Sequence, residues 1–159
     1  MPLSASTLAE MFKGPLFDSD LPALEYLSDR FVDYLAESSV AGVPAQRPAL
    51  VPVRAAFLAG ITGINTPGAG PAKLLAAFTG GWGALSVAVT TIYAGAPITG
   101  PATPPPGLAS IPTVLLTTLP PNQAQNLSRD AAADTVAAVL HPLNLGALAP
   151  SVPSPLPIT

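Results

Sequence analysis

No charged residue stands between Lys73 and Arg129, and none follows Asp134, so the charge of this 159-residue chain is confined to its first 73 residues and one short segment near residue 130. Asp, Glu, Lys and Arg keep a protein's exterior wetted and are rarely buried unpaired. A fold that contains the uncharged middle must cover part of it with another copy, a partner protein or lipid, or present a neutral, hydroxyl-rich surface. The pattern therefore bears on assembly before it bears on chemistry.

Composition narrows the classes further. Charged residues make up 9% of the chain against a usual share of about 25%, while 49% are hydrophobic, which argues against global disorder. The length suits one domain with one core. The net charge of −3 arises mostly within the first forty residues, and six scattered Lys and Arg make no basic patch for nucleic acid. Cysteine is absent, which excludes disulfides, thiolate metal sites and a cysteine nucleophile. Met1 to Gly14 lacks a basic region followed by an apolar run, so no secretory signal is read there.

Three segments are expected: an acidic amphipathic helical arm over 1–40, an alanine-rich and nearly uncharged core over 41–146, and a proline-rich extended tail over 147–159. The fold class they predict is mainly α, with long Pro/Gly-rich irregular connections. In the first segment a helix is expected over 20–38, with Leu24, Leu27, Phe31, Tyr34 and Leu35 on its core face. Glu25, Asp29, Asp33 and Glu37 repeat every fourth residue on the opposite face. This acidic stripe reads as a solvated face or, more sharply, as a docking strip for a basic partner.

In the middle segment, residues 40–52 read as a connector with room for a short turn of helix, 53–64 as a short helix weakened by Gly60 and Gly63, and 65–71 as a turn. Residues 72–93 are either one buried helix or a helix followed by a strand. Five prolines in 94–106 predict an extended loop, and a short helix or strand is expected near 113–119. Asn122 and Gln125 have capping-box spacing for a helix through Leu140 that Pro142 stops. Its apolar face is Val136, Val139 and Leu140. Prolines 150, 153, 155 and 157 favour a polyproline-like tail, extended over a neighbouring copy or else disordered.

Few residues invite chemistry. Gly63, Gly68, Gly70 and Lys73 miss phosphate-loop spacing, since Pro71 and Ala72 separate the last glycine from the lysine. His141 is the single histidine and reads as a helix-terminal residue facing the macrodipole. One histidine without cysteine makes a poor metal site. Asp130 and Asp134 read as first-turn acids, no Gly-x-Ser-x-Gly elbow is present, and the triplet Asn126-Leu127-Ser128 fits a glycosylation acceptor without a secretory signal to use it. No catalytic residue, cofactor or metal ligand is assigned. Residues 74–93 are an uncharged run of bilayer-spanning length, in which seven Leu, Ile, Phe or Val residues must offset three glycines and four Ser or Thr. Insertion of this run in a small lysis or pore-type protein is the alternative to burial in an oligomer.

AAFTGGWGAL (76–85), ITGPATPPPGLAS (98–110) and RDAAADTVAAVLH (129–141) together resemble small proteins encoded among tailed-bacteriophage structural genes. The resemblance spans about residues 50–146 and rests on composition, so it transfers no functional residue. It implies a non-enzymatic virion or contractile-tail subunit, homo-oligomeric, in contact with other virion proteins and assembled in the host cytoplasm.

Overall fold

The computed structural model describes residues 3–15, 19–118 and 128–159. Among these the chain is mainly helical, as expected: α1 (Ala5–Phe12), α2 (Asp20–Ala36), α3 (Val51–Ile61), α4 (Gly70–Ile92), α5 (Ile111–Thr118) and α6 (Arg129–Leu143). Two short antiparallel strand pairs complete it, β1 (Ser39–Val40) with β2 (Val43–Pro44) and β3 (Leu148–Ala149) with β4 (Leu156–Pro157).

The centre is an antiparallel hairpin of α3 and α4. Gly60 of α3 lies against the backbone of Ala77, and Gly80 of α4 against the carbonyl of Ala56. A Cβ on Gly60 would stand 2.5 Å from Ala77 Cα, so the residue that weakens α3 as a helix is what lets the two backbones approach. Pro52 and Pro71 each sit in a first turn, where a missing N–H is harmless. Gly63 and Gly68 take φ of +83° and +77° in the intervening turn.

Three rings, one per helix, fill the space beside this contact. Phe31 of α2 stacks on Phe57 of α3 at 4.3 Å between centroids, and both meet Phe78 of α4 edge-on at 5.2 and 5.4 Å. Gly81 admits the Phe31 ring, since a Cβ there would lie 2.4 Å from Phe31 Cε1. The predicted face of α2 is the one that enters this core, with Leu24, Phe31, Tyr34 and Leu35 buried and Leu27 half-buried.

Residues 70–92 form a single helix, which settles the helix-or-strand alternative. Leu74, Phe78, Gly81, Trp82, Leu85, Val89 and Ile92 keep helical period through the β-branched end, so burial outweighs the strand propensity of that end. Residues 40–52 contain the short helical turn allowed for there and, in addition, a small hairpin. Ala41 and Gly42 (φ 50° and 80°) make a two-residue hairpin turn, and a 3-10 turn at Arg47–Leu50 leads into α3.

The last helix departs from expectation at both ends and in its buried face. The last helix opens at Arg129, capped by Ser128 whose side chain accepts from Ala131 N, so it does not run unbroken from 122 to 140; Asn122, Gln125, Asn126 and Leu127 lie outside the described residues. Ala133, Ala137 and Leu140 are its buried face, with Val136 and Val139 half-buried. Pro142 does not stop this helix but sits in its last turn, where a single bond is lost and Asn144 N–H closes the end on the Leu140 and His141 carbonyls.

The proline tail is not a free arm. β4 turns back on β3, Ile158 is 2% exposed, and Thr159 exchanges backbone hydrogen bonds with Ser39 at 2.6 and 3.1 Å. The N–H groups of Leu148, Ile158 and Thr159, on either side of the tail prolines, donate to the carbonyls of Thr103, Ala147 and Ser39, so the tail meets its hydrogen-bonding needs within its own chain. All three sequence segments thus feed one core, from Leu3 to Ile158.

Gly60→Ala is expected to destabilise the fold by about 1–3 kcal/mol, because the methyl meets backbone and not a movable side-chain end. Gly70→Ala, whose Cβ would meet nothing within 4 Å, should stay within about 0.5 kcal/mol of wild type. Urea denaturation of both variants checks the pair.

Candidate functional site

The acidic stripe is the first candidate. Asp29 binds Arg54 of α3, with Arg54 Nε 2.5 Å from Oδ1, and this carboxylate raises the guanidinium pKa further above its ordinary value. Asp33, 19% exposed, receives Arg30 at 2.8 Å from its own helix and Arg47 from the 3-10 turn. Glu37 Oε1 accepts the Thr7 hydroxyl of α1 at 2.5 Å, while Oε2 is shielded without a hydrogen-bond partner. Glu25 is exposed and adds only its field at Arg54. Three of the four predicted partner-binding acids therefore fasten α2 to α1, α3 and the turn before α3. The arginines that neutralise Asp29 and Asp33 stand far off in sequence, apart from Arg30, and so escaped the periodicity reading.

A set of buried polar pairs, equally invisible in sequence, joins the remaining helices. Trp82 Nε1 donates to Asn144 Oδ1 at 2.7 Å, and Asn144 Nδ2 donates to the Leu140 carbonyl at 2.8 Å. Tyr93 shares a 2.6 Å bond with Ser38, and burial pushes its phenol up to about 12 despite that bond. Tyr34, which burial keeps protonated, faces His141 Nδ1 at 3.1 Å. His141 stands in the last turn of α6, at the helix end where the sequence places it, and burial holds its imidazole below its usual pKa.

The candidate acid-base residues are dispersed. Asp134 pairs with Lys13 at 2.6 Å, raising the lysine's pKa, Asp130 is an exposed first-turn acid, and His141 faces Tyr34. Among the described residues no group of three His, Asp or Glu side chains is placed to hold a metal ion.

The second candidate is the outer face of α4. Residues 102–109 run back along this helix, tied to it where Ala102 N–H donates to the Ser86 carbonyl at 3.1 Å and the Ser86 hydroxyl donates to the Ala102 carbonyl. Between them opens a cleft of about 610 Å3, walled by Leu75, Ala76 and Thr79 on one side and Pro104, Pro106 and Leu108 on the other. It holds no charged side chain. A second cleft, of about 380 Å3, lies between α1 and α2; Tyr26 and Arg129 line it, and Arg129 donates to the carbonyls of Gly14 and Pro15. Asp130, Asp134 and His141 line neither cleft. Among the described residues α4 is the one helix long and apolar enough to cross a membrane, by length and composition.

No protein-family model, curated protein or solved structure matches this chain.

Asp33→Ala should cost about 1 kcal/mol, since it leaves two guanidinium groups without their carboxylate, whereas Glu25→Ala should fall within about 0.5 kcal/mol of wild type. Chemical denaturation separates them; equal losses would return the stripe to a plain solvated face. For His141 the folded-state pKa is depressed, so its contribution is complete above about pH 6.5 and is lost as pH falls below that. Between about pH 7.5 and 5.5 the wild-type midpoint should drop more steeply than that of His141→Gln.

Proposed function

We propose that this chain is a non-enzymatic structural subunit that works by packing against copies of itself within a larger particle, and that the particle is a phage virion or related contractile assembly. The observation that carries the reading is the surface that α4 beyond Lys73 makes with the proline segment beside it, within a 55-residue stretch without Asp, Glu, Lys or Arg. A surface of that kind contributes most when it is covered. The inward pairing of Asp29, Asp33 and Glu37 supports the same division of labour, since the charged helix stabilises the subunit and leaves contact with neighbours to the neutral side. The sequence resemblance supports the virion setting.

A membrane-active role is the second reading, favoured by the length and hydropathy of α4. Insertion would require α4 to leave a core that holds Phe78, Trp82, Leu85, Val89 and Ile92, and to strand the buried Asn144 amide now bound to Trp82. Lipid would rebury those side chains but not the groups they now cover, Phe31 and Phe57 among them, and exposing these to water forfeits roughly 1.5–3 kcal/mol for each large side chain, which disfavours insertion.

Light scattering of the purified full chain without detergent should give a discrete multimer. A monomer at all working concentrations, or flotation with lipid vesicles, would overturn the reading. Mass spectrometry of purified particles should find the chain at stoichiometric level; its absence there would remove the virion setting.

A further inference from the structure

We propose that two copies of this chain meet across a two-fold axis on the outer face of α4, with the Pro104–Pro106 ridge of each copy set against the helix of the other. The inference rests on the self-assembly reading above and gives its contact a symmetry and a ridge-into-cleft fit.

Opposite its core face, α4 carries Ala72, Ala76, Thr79, Gly83, Val87 and Thr90, one residue per turn along the whole helix. None is larger than valine, and Val87 is 80% exposed. The fold accounts for Gly80 by Ala56 and for Gly81 by Phe31, but a Cβ on Gly83 would meet nothing within 4 Å. A residue costly inside a helix thus stands unexplained by the subunit's own packing, on the face where a second helix would approach. The proline wall beside this stripe is raised: Pro104 and Pro106 are exposed while Pro105 and Leu108 are buried beneath them. Ridge and cleft on one surface are what a self-complementary contact requires.

Charge selects the occupant. A two-fold contact sets each patch against its own copy, so any charge near the axis would face a like charge. The cleft carries none, and the one charge of α4, Lys73, stands in its first turn, whereas the α2 face would set exposed Glu25 and the Asp29 and Asp33 ion pairs against their own copies. An acidic or basic partner would find nothing here to pair with. Lipid fits less well, because two threonines and a glycine interrupt the stripe. The 23 residues of α4 span about 34 Å, which gives such a contact the length of the whole helix.

The natural absence of cysteine gives a clean test on the full chain. Thr79→Cys, near the middle of α4, should yield disulfide-linked dimers under mild oxidation, and Val152→Cys, equally exposed to Val87 but on the C-terminal hairpin, should not. Ala76→Arg and Val87→Glu should weaken dimerisation at least 100-fold by light scattering with an unchanged circular dichroism spectrum, while Val152→Glu leaves it intact. A wild-type multimer that survives both α4 variants, or that cross-links through Val152→Cys alone, would overturn this surface and leave self-assembly standing elsewhere. A wild-type monomer would overturn both. Flotation of the wild type with phosphatidylcholine vesicles, abolished by Val87→Glu, would assign the face to lipid and also overturn the proposal.

Discussion

The close approach of α3 and α4 is the constraint on which the rest of the fold depends. Gly60 and Gly80 remove the side chains that would hold the two backbones apart. That separation in turn fixes where Phe57 and Phe78 stand, and their rings form the slot into which Phe31 brings α2. Dispersion and ring-edge contacts reward such a slot only when its walls are fixed, because a gap of a fraction of an ångström forfeits much of each contact. Gly81 belongs to the same device, since it clears the space that the Phe31 ring fills.

Around this apolar centre the chain uses polar groups sparingly and mostly as fasteners. Trp82 to Asn144, Tyr93 to Ser38 and Tyr34 to His141 each join elements far apart in sequence. Buried groups of this kind cost more unpaired than they return when paired, so they favour one arrangement of helices over near alternatives. The ion pairs of α2 act at the rim, where water weakens them and where several together outweigh any one. The two ends of the chain are held in the same economical way, α1 by Lys13 and Thr7, and the last residues by backbone bonds to Ser39.

This use of charge explains how a subunit with so little of it presents two unlike sides. The side bearing α2 draws its acids into contacts with arginines of the same chain. The side bearing α4 and the proline segment offers alanine, threonine, valine and proline. Under the proposed role, neutrality there avoids the desolvation cost that buried charges would impose at every contact. The proposed role follows from that contrast and not from any cluster of reactive groups.

The mainly helical class, the extent of α2 and its core face, and the uncharged middle were legible from the sequence, because periodicity and charge spacing are local and survive without knowledge of neighbours. The number of elements in residues 72–93 was not legible, since β-branched residues at a helix end change their preference with burial, and burial is decided by what α3 brings against them. Gly60 shows the same limit: its local effect is to weaken a helix, and its structural use appears only when Ala77 lies across it. The acidic stripe could be located from spacing, but whether it faced solvent or arginine depended on Arg47 and Arg54, which tertiary folding delivers. The tail was misread because prolines dictate an extended backbone without dictating where it goes. The sequence by itself determined which segments are helical and which surface must lie without charge; only the tertiary structure decided which of those surfaces the subunit covers for itself, because hydrogen bonds and ring contacts between distant residues are set by packing and not by spacing.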